Sequence, residues 1–172
     1  MKRALLVIDM LNDFVREGAT LEVPRTREII PSLQKRLAAA RQEEWEIVYV
    51  CDAHAPDDPE FRNWPPHAVR GTEGAQVVAE LAPLEGERVV PKTTLLAFYG
   101  TDLEDHLKSR GIEEVILTGC VTNICVYFTA IEAAVRGYRV RVPADSVAPL
   151  EEREGAFALG QMEKILGVRV ER

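Results

Sequence analysis

Apolar segments of strand length alternate with segments of helical periodicity along most of the chain, and this alternation restricts its fold more than any other feature. Continuous apolar runs separated by helices are typical of parallel strands that are covered on both faces. We predict strands at residues 3–9, 46–51, 86–92, 113–119, 138–143 and 168–170. We predict helices at residues 28–43, 101–111, 124–137 and 151–166. The pattern therefore predicts a three-layer α/β/α fold with a mainly parallel central sheet.

Local signals predict how two of these helices begin and pack. Thr101 and Glu104 have the spacing of a capping box, so Thr101 is the predicted N-cap of its helix. The following helix carries three large apolar residues on one face, and this is its predicted buried face: Phe128, Ile131 and Val135.

Size, charge and cysteine content limit the classes of protein to which the chain can belong. Its 172 residues favour a single domain over residues 1–172. The net charge is −7 with acids and bases interleaved, and no basic stripe points to nucleic acid as a partner. No signal peptide or membrane-length apolar stretch is evident, and three cysteines make no disulfide framework. We therefore expect a cytoplasmic protein that binds neither membranes nor nucleic acids.

The segment of residues 52–76 is long, rich in proline and poor in regular pattern, and loops of this kind are usually functional or disordered. It contains two of the three histidines. Two carboxylates and two imidazoles suit Zn²⁺, Mn²⁺ or Fe²⁺ better than Ca²⁺ or Mg²⁺, and the candidate ligands are Asp52, His54, Glu60 and His67. Alternatively, this is a polar loop whose histidines cap turns or pair with Asp57 and Asp58, and spacing alone leaves both interpretations open.

Residues of catalytic types follow the ends of three predicted strands, which a parallel sheet brings to one edge. Asp9 ends the first strand, Lys92 ends the third, and Cys125 lies where the helix after the fourth strand begins. A helix N-terminus and a nearby lysine would lower the pKa of the thiol, and Asp9 could take its proton. Each residue alone could equally be a packing, capping or surface residue. Asn12 and Asp13 are interpreted as turn or capping residues.

Three further residues of reactive types are interpreted as structural. Cys51 lies within the second strand, and Cys120 lies in the turn before the helix of Cys125. His106 lies in the middle of a helix face and is interpreted as a solvated or capping histidine.

Three motifs resemble the cysteine hydrolase superfamily that contains isochorismatases, N-carbamoyl amidases and nicotinamidases. They are "LLVIDMLNDF" with Asp9, "VPKTTLLAFYGTDLE" with Lys92, and "LTGCVTNICVYFTAIEAAVRGY" with Cys125, and they span nearly the whole chain. The segment "CDAHAPDDPEFRNWPPHAVRGTEGA" resembles the nicotinamidase and pyrazinamidase branch in particular.

The resemblance implies a role for each motif residue. The triad would be Asp9, Lys92 and Cys125. One divalent transition metal ion, zinc before manganese or iron, would be bound with waters by Asp52, His54, Glu60 and His67, and no organic cofactor is expected. A cis peptide at Cys120–Val121 would accompany an oxyanion hole formed by the N–H groups of Val121 and Cys125. An aromatic slot for a flat ring would be lined by Phe14, Trp64 and Tyr99. Relatives commonly form homo-oligomers.

The function implied by this resemblance is metal-dependent hydrolysis of nicotinamide to nicotinate and ammonia through a thioester on the cysteine. An alternative is hydrolysis of another small amide, carbamoyl or ureido substrate by the same nucleophile. A third reading is a non-catalytic protein that binds metal or senses redox state. The chain also departs from the family pattern, with Asn123 two residues before the cysteine where relatives have Asp, and with Leu95-Leu96 where relatives have Tyr-Ser.

Overall fold

A seven-stranded sheet forms the centre of the structure, a computed structural model that describes residues 1–172. The strands are β1 Arg3–Ile8, β2 Glu46–Asp52, β3 Arg88–Lys92, β4 Glu114–Cys120, β5 Arg139–Pro143, β6 Val147–Ala148 and β7 Arg169–Glu171. Their order is β3-β2-β1-β4-β5-β7, with β6 beside the end of β4, and every pairing is parallel. The predicted parallel sheet is confirmed, and the short β6 is the strand that the sequence pattern missed.

Helices cover both faces of the sheet. They are α1 Asn12–Val15, α2 Thr26–Gln42, α3 Leu103–Arg110, α4 Tyr127–Val135 and α5 Glu152–Leu166. One apolar core lies between the sheet and α1 and α2, and a second lies between the sheet and α3, α4 and α5. The predicted three-layer α/β/α architecture is therefore confirmed. No helix of the structure combines the length and the apolar character needed to cross a membrane.

Two predictions about helices were wrong in detail. The N-cap of α3 is Asp102 rather than Thr101, whose hydroxyl donates to Ala97 O and accepts from Leu103 N. Glu104 pairs with Lys108 instead of closing a capping box. The threonine hydroxyl thus links the preceding loop to the first N–H of the helix, and the helix itself begins after Asp102.

The buried face of α4 is also not the predicted one. Thr129, Ala130 and Ala133 face the core, whereas Val135 is 73 % exposed. The strands of the sheet are filled with large aliphatic residues, so the helix that packs on them presents small side chains, which permit close approach. The large apolar residues therefore lie at the side and outer surface of α4.

The register of the central strands brings their carboxyl ends together. Ile8 pairs with both Val50 and Gly119, and Asp52 pairs with Lys92. Chain segments that follow β1, β2, β3 and β4 therefore leave the sheet side by side, which is where ligands bind in open α/β sheets.

Candidate active site

Lys92, the last residue of β3, lies at the centre of a buried charge cluster. Its Nζ is 2.8 Å from Asp9 Oδ2, forms an ion pair with Asp52 Oδ1, and donates to Thr94 O at 3.0 Å and to Cys125 Sγ at 3.5 Å. Burial alone would lower the pKa of Lys92, but Asp52 and Asp9 together raise it well above its usual value. The amine is therefore a permanent cation between two carboxylates.

Asp9 leaves β1 in a left-handed backbone conformation, with φ of 52°, which turns its side chain into the site. Its Oδ1 accepts the N–H of Asp52 at 2.8 Å, while its Oδ2 is buried without a hydrogen-bond partner and lies within the ion pair with Lys92. Burial raises the pKa of Asp9 to about 6, with a further rise from Asp52 and an opposing effect of Lys92. This carboxylate can therefore exchange a proton near neutral pH.

Cys125 lies in the turn Thr122–Val126, which joins β4 to α4 and departs from helical geometry at Ile124 (φ −121°, ψ −105°). Its Sγ and the carboxylates of Asp9 and Asp52 lie within 4.8 Å of one another. Burial raises the pKa of the Cys125 thiol well above its usual value; Lys92 opposes this rise, while Asp9 and Asp52 add to it. The expectation of a lowered thiol pKa was wrong, because burial and two carboxylates outweigh one ammonium group. A thiol in this environment needs a proton acceptor before it can act as a nucleophile, and the Asp9 carboxylate lies within 4.8 Å of it.

The turn before Cys125 has the backbone geometry that the resemblance implied. The Cys120–Val121 peptide bond is cis, and Val121 and Cys125 both line the cavity described below. Cys120 is fully buried, and its Sγ donates to Asp9 O at 3.1 Å. Cys51 is also buried, and it does not line the cavity.

The four predicted metal ligands converge beside the triad. Asp52 Oδ2 is 3.7 Å from His54 Nε2 and 4.0 Å from His67 Nε2, and Glu60 Oε1 is 3.9 Å from His67 Nε2. These separations are too long for hydrogen bonds, but two bonds of about 2.1 Å from one transition metal ion can span them. His54 Nε2 is buried without a hydrogen-bond partner, which is unusual for a polar atom in a folded protein. The donor set and its unsatisfied atom therefore fit one divalent transition metal ion.

Hydrogen bonds on the far side of each imidazole aim Nε2 at the same point. His54 Nδ1 lies 3.1 Å from Asp58 Oδ2, and His67 Nδ1 is 2.8 Å from Pro65 O. Metal-binding histidines characteristically make such contacts through their second nitrogen. Burial lowers the pKa of His54, but the carboxylates of Asp52 and Asp58 outweigh it and raise the pKa to about 9. The alternative of pairing with Asp58 is thus observed, but it uses only one of the two ring nitrogens.

A cavity of about 330 Å³ opens onto both groups of residues. Phe14 and Trp64 line it, and the Phe14 ring lies 5.6 Å from the His67 ring between centroids. The prediction for Tyr99 was wrong, because this side chain is 66 % exposed and lies outside the cavity lining. Sequence analysis missed several apolar wall residues that come from separate loops: Leu21, Val23, Ile124 and Leu150.

The two departures from the family pattern fall in different places. Leu95 lines the cavity and makes one wall aliphatic. Asn123 lies outside the cavity and donates to Glu154 Oε2 on α5 at 3.1 Å.

His106 is paired with Glu46 Oε1 of β2 at 2.8 Å and is largely buried, so the prediction of a solvated or capping histidine was wrong.

Comparison with known proteins shows which family the chain matches. The Isochorismatase domain family matches residues 3–171. Nicotinamidase PncA from Bacillus subtilis is 32 % identical, with a TM-score of 0.95 and full coverage of both chains. N-carbamoylsarcosine amidase from Thermoplasma acidophilum is 35 % identical, with a TM-score of 0.91 over 100 % of this chain and 96 % of that one. A pyrazinamidase of Pyrococcus horikoshii, solved in complex with zinc, is 29 % identical, with a TM-score of 0.93 over 100 % of this chain and 99 % of that one.

The family match covers nearly the whole chain, and the structural likeness extends over the complete sheet and its helices. The chain belongs to the isochorismatase-like hydrolase superfamily, in the branch that includes the nicotinamidases.

Proposed function

We propose that this protein is a metal-dependent nicotinamidase that hydrolyses nicotinamide to nicotinate and ammonia through a thioester on Cys125. The observation that carries the proposal is the position of Asp52. One of its oxygens pairs with Lys92 of the triad, and the other faces the two histidines of the metal cluster. Nucleophile and metal ligands therefore open into a single apolar cavity with aromatic walls, which suits a flat heterocycle that carries an amide.

The first half of the reaction forms the thioester. Asp9 Oδ2 accepts the thiol proton, and Cys125 Sγ attacks the carboxamide carbon. The N–H groups of Val121 and Cys125 stabilise the negative oxygen, an interaction worth about 3 kcal/mol per donor in other enzymes. Asp9 then returns the proton to the leaving ammonia. Lys92 keeps the Asp9 carboxylate and the sulfur close together throughout.

The second half releases nicotinate. Asp9, again ionised, takes a proton from water, and the hydroxyl attacks the thioester carbon. Cys125 leaves and takes this proton back from Asp9, and the product acid loses its own proton to solvent as nicotinate, which returns the site to its initial state. Asp52, His54, Glu60 and His67 would bind the metal ion, with zinc favoured over manganese or iron. A bound ion would supply a Lewis acid for the pyridine nitrogen, which orients the ring and withdraws electron density from it.

A second candidate function is hydrolysis of a small carbamoyl or ureido compound, which the likeness to N-carbamoylsarcosine amidase favours. The candidate metal ligands distinguish the two substrates. A metal ion bound by Asp52, His54, Glu60 and His67 would have the pyridine nitrogen of nicotinamide to act on, whereas N-carbamoylsarcosine has no ring nitrogen.

Three broader proposals accompany this function. Hydrolysis of nicotinamide would serve the recycling of pyridine nucleotides in the cytoplasm. Residues 1–172 would act as one domain, and the protein would be a homo-oligomer, as the resemblance implies. Light scattering of the purified protein would measure the oligomeric state.

Ammonia release from nicotinamide and from N-carbamoylsarcosine tests the proposal. The zinc-loaded wild type should hydrolyse nicotinamide and leave the carbamoyl compound nearly untouched. Cys125→Ala and chelator-treated wild type should both lose activity on nicotinamide. Adding zinc should restore the activity of the chelator-treated wild type but not that of Cys125→Ala. Cys51→Ala, which removes a thiol outside the cavity, should keep the activity on nicotinamide.

Full activity of the chelated protein on the carbamoyl compound would favour the second candidate. A protein that binds zinc but hydrolyses neither amide would instead support a binding or sensing role.

A further inference from the structure

The loop that carries both candidate histidine ligands is fastened to the rest of the protein at Ala68, the residue after His67. Ala68 is fully buried, and its φ of 43° is in the left-handed region that disfavours residues other than glycine. Its carbonyl accepts the N–H of His54 at 3.0 Å. The backbones of the two histidine-bearing segments therefore meet at this residue, and its position affects both imidazoles.

The side chain that fastens Ala68 is Asp13 of α1, which sequence analysis interpreted as a turn or capping residue. Asp13 Oδ2 accepts the N–H of Ala68 at 2.8 Å. This N–H belongs to the peptide bond that immediately follows His67. The hydrogen bond thus stabilises a disfavoured backbone conformation directly beside a candidate metal ligand.

Gly74 fixes the Asp13 carboxylate from the other side. A Cβ atom built on Gly74 would lie 2.2 Å from Asp13 Oδ2 and 2.4 Å from Oδ1, so only glycine leaves room for the carboxylate. The segment around Gly74 is tied to α1 by hydrogen bonds from Asn12 Nδ2 to Glu73 O and from Asn12 N to Gln76 O. Asp13 is therefore enclosed between its own helix and this segment, with its acceptor oxygen directed at Ala68.

We propose that Asp13, held in place by Gly74, is a positioning residue that presets His67 and His54 for metal binding. It touches neither the substrate nor the metal ion. Its contribution is to keep the peptide after His67 in the one conformation that directs both Nε2 atoms at Asp52. This inference rests on the metal site of the proposed function, but it concerns metal affinity rather than turnover.

Zinc affinity, measured by competition with a chromophoric chelator, tests the proposal in the full-length protein. Asp13→Ala should weaken zinc binding by about 10–100-fold, the usual loss when a partner that orients a ligand is removed. Asp13→Asn keeps an acceptor oxygen and should recover most of the affinity. Asp57→Ala, which removes an exposed carboxylate from the same loop, should bind zinc as the wild type does.

Gly74→Ala provides an independent route to the same effect, because its methyl group would displace the carboxylate without requiring an unusual φ. It should also weaken zinc binding, but it should have little additional effect in the Asp13→Ala background. Thermal unfolding of each metal-free variant separates a loss of affinity from a loss of folding.

Wild-type zinc affinity in Asp13→Ala would overturn the proposal, whatever the unfolding temperature of that variant. If Asp13→Ala does not fold, the zinc affinity of Gly74→Ala tests the proposal instead. Wild-type zinc affinity in Gly74→Ala would then overturn it. A wild-type protein that binds no zinc would overturn both this inference and the metal site. Zinc binding without turnover of nicotinamide would overturn the proposed function alone.

Discussion

Lys92 is a fully buried ammonium group, and the proposed catalytic and metal-binding groups of the cavity meet at its side chain. It pairs with Asp9, the proposed proton acceptor, and with Asp52, a proposed metal ligand. Without this cation, two buried carboxylates would lie close together with no compensating charge, which costs several kcal/mol. We therefore expect Lys92 to be required for stability as well as for the proposed chemistry.

Lys92→Met should destabilise the protein by about 3–5 kcal/mol, the usual cost of removing one partner of a buried ion pair. The same variant should lose activity, because Asp9 will retain its proton without the ammonium group. Urea unfolding followed by circular dichroism measures the stability. Lys108→Met, which removes an exposed lysine paired with Glu104, should leave stability unchanged. Equal stabilities of the two variants would contradict this account of Lys92.

Asp9→Asn tests the proton transfer more selectively. The amide is similar in size and can still accept the Asp52 N–H, but it cannot take a proton from the thiol. Activity should fall by at least about 100-fold, the lower end of general acid–base contributions. Urea unfolding of the variant separates a loss of chemistry from a loss of folding. Unchanged activity would show that another group accepts the thiol proton.

At the scale of secondary-structure elements, the close approach of β1 and β4 defines the floor of the site. Gly119 of β4 has φ of 104°, and a Cβ atom there would lie 2.0 Å from Ile8 O. Asp9 follows Ile8 and Cys120 follows Gly119, and the Cys120 thiol donates a hydrogen bond to the Asp9 carbonyl. A side chain at Gly119 would therefore separate the strands at the point where the triad is assembled.

Gly119→Ala should reduce stability by at least about 1–3 kcal/mol, the cost of a disfavoured backbone conformation, before the steric clash is added. Gly160→Ala is the matched comparison, because a Cβ atom on this helical glycine meets nothing within 4 Å. It should stabilise the protein by about 0.5–1 kcal/mol through the higher helix propensity of alanine. Urea unfolding of both variants measures the difference, and changes of the same sign would contradict the prediction.

The edge strand β3 is held to α2 by an ion pair that predicts a pH effect. Arg41 donates to both carboxylate oxygens of Glu87, and Leu84 N donates to one of them. Burial raises the pKa of Glu87, but the bonds from Arg41 and Leu84 outweigh it and lower the pKa below its usual 4.5. A carboxylate whose pKa is lower in the folded state than in the unfolded state stabilises the protein at any pH above the unfolded-state pKa. This stabilisation disappears as the pH falls through the folded-state pKa.

Glu87→Gln should therefore unfold at a lower temperature than the wild type at pH 7. The difference should shrink as the pH falls below 4.5, because the wild-type carboxylate then gains its proton. Thermal unfolding at a series of pH values measures this convergence. A difference that stays constant or widens toward low pH would contradict it.

At the scale of the whole molecule, strand alternation was enough to predict the parallel sheet and its two helical layers. The register of that sheet explains why Asp9, Asp52, Lys92 and Cys125 meet, since each follows or ends a neighbouring strand. What sequence patterns could not predict depends on packing between distant segments. The pKa of Cys125 depends on burial, and the aliphatic wall is built from loops far apart in the chain, such as those of Leu21 and Leu150.

The role of Asp13 illustrates the same limit. Its place at the start of α1 is visible in the sequence, but its partner Ala68 lies 55 residues away in a loop without regular pattern. No local signal connects the two.

The most direct test of the central claim is mass spectrometry of zinc-loaded protein that is quenched with acid during turnover of nicotinamide. Trypsin cleaves after Arg110 and Arg136, so one peptide carries both Cys120 and Cys125, and its fragments distinguish them. The account predicts a nicotinoyl adduct on Cys125 that is absent from Cys125→Ala and from chelated protein. Nicotinate formation by Cys125→Ala at the wild-type rate, or an adduct on Cys120 instead, would contradict it.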